Sequence, residues 1–89
     1  MYYKISMLMN ERDKEALLLA MTFQVSYDGY SHQTNYHGAF SLLDNRLRYA
    51  GVIRDAKAAV LRAFYSKCIS GNWDLPFEAG VITITRVQK

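Results

Sequence analysis

Hydrophobic and polar residues alternate in two segments far apart in the sequence. From Tyr2 to Met9 apolar side chains occupy every second position, and Val81 to Val87 alternates β-branched residues with others. Successive side chains of a strand point to opposite faces, so this period of two residues indicates strands with one buried face. The pattern predicts one strand before Asn10 and another after Val81.

Two segments have the spacing of helices. Asn10 precedes Glu11 and further acidic residues, and an Asn cap followed by acids favours a helix from Glu11 to about Met21, packed closely on a sheet. From Asp55 to Cys68 apolar residues recur three and four positions apart, which predicts a longer helix. Gly71 follows, where a left-handed cap is expected. The apolar stripe of this helix comprises Ile53, Ala56, Val60, Ala63, Phe64 and Cys68.

The middle of the chain is less regular. Thr22 to Asp28 alternates and predicts a strand, and Asp28-Gly29 is a strong turn signal because glycine tolerates positive φ. A return strand is expected at roughly Thr34 to Phe40, with a long loop as the alternative, since this segment is poor in strand-forming residues. A short helix from about Ser41 to Tyr49 follows, ended by a glycine.

These elements predict a single α+β domain over residues 1–89. We expect a small two-layer sandwich, in which an antiparallel sheet is covered by two or three helices. The order matches the ferredoxin-like βαββαβ arrangement. That arrangement makes the third strand central, although it is the least strand-like segment here, so the alternative is a three-stranded sheet with three helices.

The charge distribution and the single cysteine limit the possible partners and the possible compartment. The chain has a net charge of +3, and residues 44–67 hold six basic and two acidic residues, a local charge of +4. Such a segment can attract nucleic acid or an acidic protein surface, or it can simply be a solvated helix face. The single cysteine, Cys68, excludes an intramolecular disulfide, and no signal peptide or membrane span is recognisable. We expect a soluble cytoplasmic protein.

The segment Tyr27–Gly38 has an unusual composition, with three tyrosines among serine, threonine, asparagine and histidine. Tyrosines supply contact area at low entropic cost and small polar residues adapt their hydrogen bonds, a mixture typical of protein recognition surfaces. The alternatives are base stacking on a single strand or a hairpin loop with no binding role. The predicted partner-binding residues are Tyr27, Tyr30, Tyr36, His37, Arg46 and Arg48.

Catalytic and metal-binding interpretations have weaker support. His32 and His37 could serve as an acid and base in phosphodiester cleavage, with Arg46 or Arg48 over the phosphate, but two histidines in a polar segment are usually solvated. A metal site from His32, His37, Cys68 and Asp28 lacks the usual ligand spacing. No nucleophile elbow or phosphate loop is present. We therefore predict a non-enzyme without cofactor or bound metal.

The function expected from the sequence is a protein-binding module. It would act as a stoichiometric inhibitor or regulator of a larger assembly, as a phage or mobile-element accessory protein would. The alternative is RNA or single-stranded nucleic-acid binding, with a homodimer also allowed by open sheet edges. Trp73 to Phe77 is expected to plug the core rather than form an exposed anchor. The predicted phosphate contacts are Arg46, Arg48, Arg54 and Arg62.

Overall fold

A computed structural model describes residues 10–87. The strand predicted for Tyr2 to Met9 lies outside the described residues. Three helices and four strands follow one another in the order α-β-β-α-α-β-β. They are α1 (Glu11–Leu19), β1 (Thr22–Tyr27), β2 (Tyr30–Asn35), α2 (Tyr36–Tyr49), α3 (Arg54–Ser70), β3 (Phe77–Glu78) and β4 (Thr83–Arg86).

The four strands form one antiparallel sheet in the order β2-β1-β4-β3. A two-residue turn joins β1 to β2, with Asp28 at φ 49° and Gly29 at φ 82°. Positive φ at both central positions is the signature of the type I′ turn, whose twist matches that of a hairpin. The predicted turn is therefore confirmed, and it fixes the hairpin register with Tyr27 opposite Tyr30.

One face of the sheet forms the core. Phe23 and Val25 of β1 and Ile84 of β4 are fully buried on that face. Helices α2 and α3 lie against it, and their buried residues are Tyr36, Ala39, Leu43, Leu47, Phe64 and Cys68. The pleat directs Gln24, Ser26, Thr83 and Thr85 to the opposite face, so the sheet has one apolar and one polar side.

Aromatic rings fill the centre of this core. Phe64 of α3 lies 5.6 Å from Phe23 and 5.7 Å from Tyr36 between ring centroids, and the Tyr36 ring is stacked parallel to it. Trp73 and Phe77 approach from the connection between α3 and β4, with Phe77 5.4 Å from Phe64. We call Phe23, Tyr36, Phe64, Trp73 and Phe77 the core aromatic cluster. The prediction that the Trp73–Phe77 segment plugs the core is confirmed for Trp73 and Phe77 and is wrong for Leu75, which is 71% exposed.

The helix predictions are largely confirmed at their ends. The Asn10 side chain accepts a hydrogen bond from the backbone N–H of Asp13 at 2.8 Å, as expected for an N-cap. Gly71 ends α3 in the left-handed conformation. The predicted stripe on α3 is buried only towards its C-terminal end, where Phe64 and Cys68 lie, whereas Ala56 and Ala63 are exposed.

The expected return strand at Thr34 to Phe40 is wrong. Strand β2 ends at Asn35, and Tyr36 already begins α2. Asn35 explains the difference, because its side chain accepts a hydrogen bond from the backbone N–H of Gly38 at 2.9 Å and caps the helix. An Asn followed three residues later by Gly was a poor strand signal but an adequate helix start.

The ferredoxin-like order is not confirmed. Among the described residues β2 lies at an edge of the sheet rather than at its centre. Among residues 10–87, α1 packs mainly against α2 and α3 rather than closely on the sheet, and Leu18 is its buried residue. Over residues 10–87 the fold is mixed α+β, with three helices and a four-stranded antiparallel sheet. Within residues 10–87, no helix has the length and apolar character needed to cross a membrane.

Candidate protein-binding site

Three tyrosines and an ion pair lie where the β1–β2 hairpin turns, beside the C-terminal end of α2. These residues are Tyr27, Asp28, Tyr30, Arg46 and Tyr49, and we call them the Arg46 cluster. The hairpin supplies the first three residues through its turn, and α2 supplies the last two from positions three apart on one helix face.

Arg46 is held between two tyrosine rings. Its guanidinium carbon lies 5.0 Å from the ring centroid of Tyr27 and 5.2 Å from that of Tyr49. Its Nη2 also donates a hydrogen bond to the carboxylate of Asp28. Because a guanidinium is attracted by the electron-rich ring faces, these contacts fix the position of Arg46 and leave its side chain only 21% exposed.

The tyrosines around Arg46 are accessible. Tyr30 is 68% exposed and Tyr49 is 84% exposed. Tyr27 is half-buried, and its ring lies 6.2 Å from Tyr30 and 6.1 Å from His32 between centroids. Tyr30 is an edge-strand residue on the face of the sheet that forms the core elsewhere, because it pairs with Tyr27 in line with the buried Val25. The site is thus an uncovered continuation of the core face.

A shallow cleft of about 380 Å³ opens beside the cluster. Tyr27, Asp28, Arg46 and Tyr49 line one side, and the loop before β4 lines the other. A carboxylate and a guanidinium beside aromatic rings offer hydrogen bonds of both polarities next to apolar surface. That combination suits the side chains of another protein better than it suits a reaction centre.

The structure brings only three of the six residues predicted for partner binding into one surface. Tyr27, Tyr30 and Arg46 come together in the Arg46 cluster. The expectation that Tyr36 is accessible is wrong: it is 7% exposed, because α2 begins at this residue and turns the ring onto Phe64. Burial also raises the pKa of Tyr36 to about 12, since the ionised phenolate would lose its water.

The other two predicted residues lie apart from the cluster or are otherwise engaged. His37 is exposed and its ring lies 5.6 Å from that of Tyr36. It precedes Arg46 by nine residues, which is about 14 Å along a helix. Arg48 is exposed and forms an ion pair of 3.3 Å with Asp44, one turn earlier on α2. Neither residue contributes to the surface around Arg46.

Two members of the cluster were not among the predicted binding residues. Tyr49 follows Arg46 by three positions, so helical spacing could have placed the two side by side. The sequence indicates Asp28 as a turn residue and as a weak metal ligand, and nothing in its local sequence links it to Arg46, which lies eighteen positions further along the chain. Only the packing of the hairpin against α2 brings those two together.

Ion pairs engage three of the six basic residues of segment 44–67, and Asp28 from outside the segment lowers its excess charge by one. Lys57 of α3 lies 2.8 Å from the Asp44 carboxylate, which also pairs with Arg48. The hydrogen bond from Lys57 lowers the pKa of Asp44. Lys67 lies over the Trp73 ring at 4.9 Å from its centroid. Arg54 and Arg62 remain exposed on α3, so the local excess of positive charge is smaller on the surface than in the sequence.

The groups considered for catalysis do not converge. His32 lies against Tyr27 and His37 against Tyr36, on different elements. Cys68 is buried, and loss of solvent raises the pKa of its thiol to about 12. Among residues 10–87, no three His, Cys, Asp or Glu side chains form a group suited to a metal ion.

Comparison with known proteins adds no further assignment. The chain matches no protein-family model, no curated protein sequence and no solved structure.

Proposed function

We propose that the protein is a non-enzymatic protein-binding module that docks through the Arg46 cluster. The observation that carries this proposal is an arginine held between the rings of Tyr27 and Tyr49, with Tyr49 largely exposed and the equally accessible Tyr30 next to Tyr27. Tyrosine and arginine are the residue types, with tryptophan, that contribute most to protein–protein binding energy. Their grouping on one small surface supports a docking role.

The arrangement is favourable for binding because it is already ordered. An arginine side chain that is mobile on the protein surface loses conformational entropy when a partner immobilises it, at a cost of roughly 0.5–1.5 kcal/mol. Arg46 has lost that freedom in the folded chain, through its contacts with Tyr27, Tyr49 and Asp28. A partner would meet a fixed polar centre bordered by exposed rings that have few rotatable bonds.

The mode of action that we favour is occupation of a surface. A domain of 89 residues that acts by binding would regulate a larger assembly stoichiometrically, as inhibitor or adaptor, by covering a surface of that assembly. A phage or mobile-element accessory protein in the cytoplasm is the form of this function that we propose. The single cysteine, Cys68, is buried and forms no disulfide, which fits a reducing compartment.

The test is affinity purification from the native cell with a matched pair of variants. Tyr30→Ala combined with Tyr49→Ala removes the exposed rings, and we expect it to abolish recovery of the partner. Leu75→Ala is the control, because Leu75 is 71% exposed and lies outside the cluster. Circular dichroism should show that both variants are folded. Equal recovery by the double variant and the control would contradict the proposal.

Nucleic-acid binding is the second candidate. The exposed Arg54 and Arg62 could contact phosphates, with Tyr30 and Tyr49 stacking against bases. We rank it lower because Arg46 and Arg48, both predicted phosphate contacts, are already paired with Asp28 and Asp44. The polar face of the sheet also presents no aromatic side chain from the described strands, so it offers no platform for stacking.

Fluorescence anisotropy with a labelled single-stranded RNA separates the two candidates. Phosphate binding must weaken steeply as salt rises, and Arg54→Ala with Arg62→Ala should reduce it. Lys14→Ala, outside the basic segment, is the control. Absence of binding at low salt would exclude this second candidate and leave the first unaffected.

A further inference from the structure

The two edges of the described sheet differ in their protection. Edge strand β3 has two residues, follows Pro76 and carries the charged Glu78. Edge strand β2 has six residues, Tyr30–Asn35, none of them charged and none a proline. Short length, proline and charge are the usual means by which proteins prevent an edge from pairing with another strand. β3 has all three of these features and β2 has none of them.

The turn determines which backbone groups of β2 are free. Tyr27 and Tyr30 flank the two-residue turn and pair with each other through its closing hydrogen bond. Hydrogen-bonded and non-hydrogen-bonded pairs then alternate along an antiparallel ladder. His32 and Thr34 therefore direct their N–H and C=O groups to β1, whereas Ser31 and Gln33 direct theirs outward. These two residues flank His32 symmetrically.

We propose that β2 is the interface of a homodimer, in which it pairs antiparallel with β2 of a second copy, with His32 on the two-fold axis. In this register Ser31 lies opposite Gln33 of the second copy, and by symmetry Gln33 lies opposite Ser31 of the second copy. Both outward-facing residues thus find backbone partners without involving Asn35, which caps α2. This inference is separate from the proposed docking function.

A second copy is the occupant that suits this edge. The register places Ser31 opposite Gln33 on the polar face, and on the other face it places Tyr30 opposite Thr34 and the two His32 rings opposite each other. The strand contains no Asp, Glu, Lys or Arg, so no fixed like charges meet, and the polar side chains can hydrogen-bond. Pairing through one short strand buries less surface than the roughly 1,200–2,000 Å² of a stable interface, so we expect a reversible, concentration-dependent dimer.

Dimerisation would have a consequence for binding. A two-fold axis perpendicular to the sheet keeps the helices of both copies on the same side. Two Arg46 clusters would then face the same direction from one continuous sheet. A partner with repeated sites would be bound by both clusters together, which strengthens binding without any new contact.

The first test removes one outward N–H group. Gln33→Pro deletes the donor that the second copy needs, and proline is tolerated at edge positions whose N–H faces solvent. Gln33→Thr retains the N–H and is the matched control. In sedimentation equilibrium of the full chain over a dilution series, we expect the control and the parent to dimerise and Gln33→Pro to remain monomeric. A parent that is monomeric at every concentration overturns the proposal.

A second variant keeps the proposal testable if the proline variant does not fold. Ser31→Lys combined with Gln33→Lys retains the backbone groups but places lysines opposite each other across the axis, which opposes pairing. We expect a folded monomer. A dimer that persists in this double variant shows that another surface mediates association and overturns the assignment to β2.

Disulfide trapping tests the register. In a non-hydrogen-bonded antiparallel pair the two Cα atoms are about 4.5 Å apart, within the range that a disulfide spans. His32→Cys should therefore form a covalent dimer on mild oxidation, whereas Thr34→Cys should not, since position 34 is two residues from the axis. The buried Cys68 does not compete. Cross-linking by Thr34→Cys alone would overturn the His32-centred register.

Failure of these tests is distinguishable from failure of the docking proposal. Tyr49→Ala removes a ring of the Arg46 cluster that lies outside β2, so it should weaken docking and leave the sedimentation of the protein unchanged. Loss of the dimer in that variant would overturn the β2 assignment.

Discussion

The protein contains two aromatic groups on the same face of one sheet, and they have opposite fates. In the core aromatic cluster, Phe64 of α3 covers Phe23 and stacks on Tyr36. In the Arg46 cluster, Tyr30 and Tyr49 remain exposed, and the place of a covering helix is taken by the side chain of Arg46. The residue types are similar, but only one group is covered by a second layer.

This difference shows that local composition does not determine whether a tyrosine is structural or available for binding. Tyr30 and Tyr36 are six positions apart in one polar segment of the chain. Tyr30 starts an edge strand and remains largely exposed, whereas Tyr36 starts a helix that turns its ring inward. The change from strand to helix at Asn35 separates the two roles.

The largest predicted effect is the difference in stability between variants that remove a ring from each of the two clusters. Tyr36→Ala should lower the free energy of unfolding by about 3–5 kcal/mol, because it leaves a cavity beside Phe64. Tyr30→Ala should change it by no more than about 0.5 kcal/mol, since the ring is largely exposed. Urea denaturation followed by circular dichroism measures both. Equal losses in the two variants would mean that the clusters do not differ in burial.

The close approach at the junction between β2 and α2 should give the next largest effect. A Cβ atom on Gly38 would lie 1.9 Å from Thr34 Oγ1 and 3.1 Å from Thr34 Cβ. Gly38→Ala should therefore destabilise the protein by about 1–3 kcal/mol, despite the better helix propensity of alanine. Thermal unfolding measures the loss.

Thr34→Ala serves as the control for this prediction. Combined with Gly38→Ala, it should restore part of the stability, because it removes the hydroxyl that the new methyl group meets. A loss that is simply additive in the double variant would show that the clash is not its cause.

Alkaline pH should reveal the burial of Tyr36 through a smaller change in the free energy of unfolding. The pKa of Tyr36 is raised to about 12 from an ordinary value of 10.0, so the fold favours the neutral phenol. Its contribution to stability is complete below about pH 10 and is lost as pH rises towards 12. Tyr36→Phe should therefore lose less stability than the parent over this range, as measured by urea denaturation at each pH.

The smallest effect on stability is expected in acid, at the ion pair between Asp44 of α2 and Lys57 of α3. Lys57 lowers the pKa of Asp44, so the carboxylate stabilises the fold above its ordinary pKa of about 4 and this contribution is lost as pH falls below it. Asp44→Asn should flatten part of the acid loss of stability. Lys57→Met should do the same, and a parent-like acid profile in both variants would contradict the assignment.

The candidate site was predictable only in part. Tyr27, Tyr30 and Arg46 were selected from their residue types, which suit recognition surfaces wherever they are exposed. Tyr36 has the same type and neighbourhood, and was selected wrongly. Asp28 was not selected for binding, because its contact with Arg46 depends on how the hairpin packs against α2, and no pattern of nearby residues encodes that.

The sequence by itself determined the start of α1, the end of α3, the Asp28-Gly29 turn and the alternation of β1, because caps, glycine conformations and side-chain periodicity act over a few neighbouring residues. The tertiary structure alone decided the strand order, the edge position of β2 and which tyrosines are covered. Those properties depend on contacts between residues distant in the chain, and the loss of water at such contacts is settled only when the layers pack together.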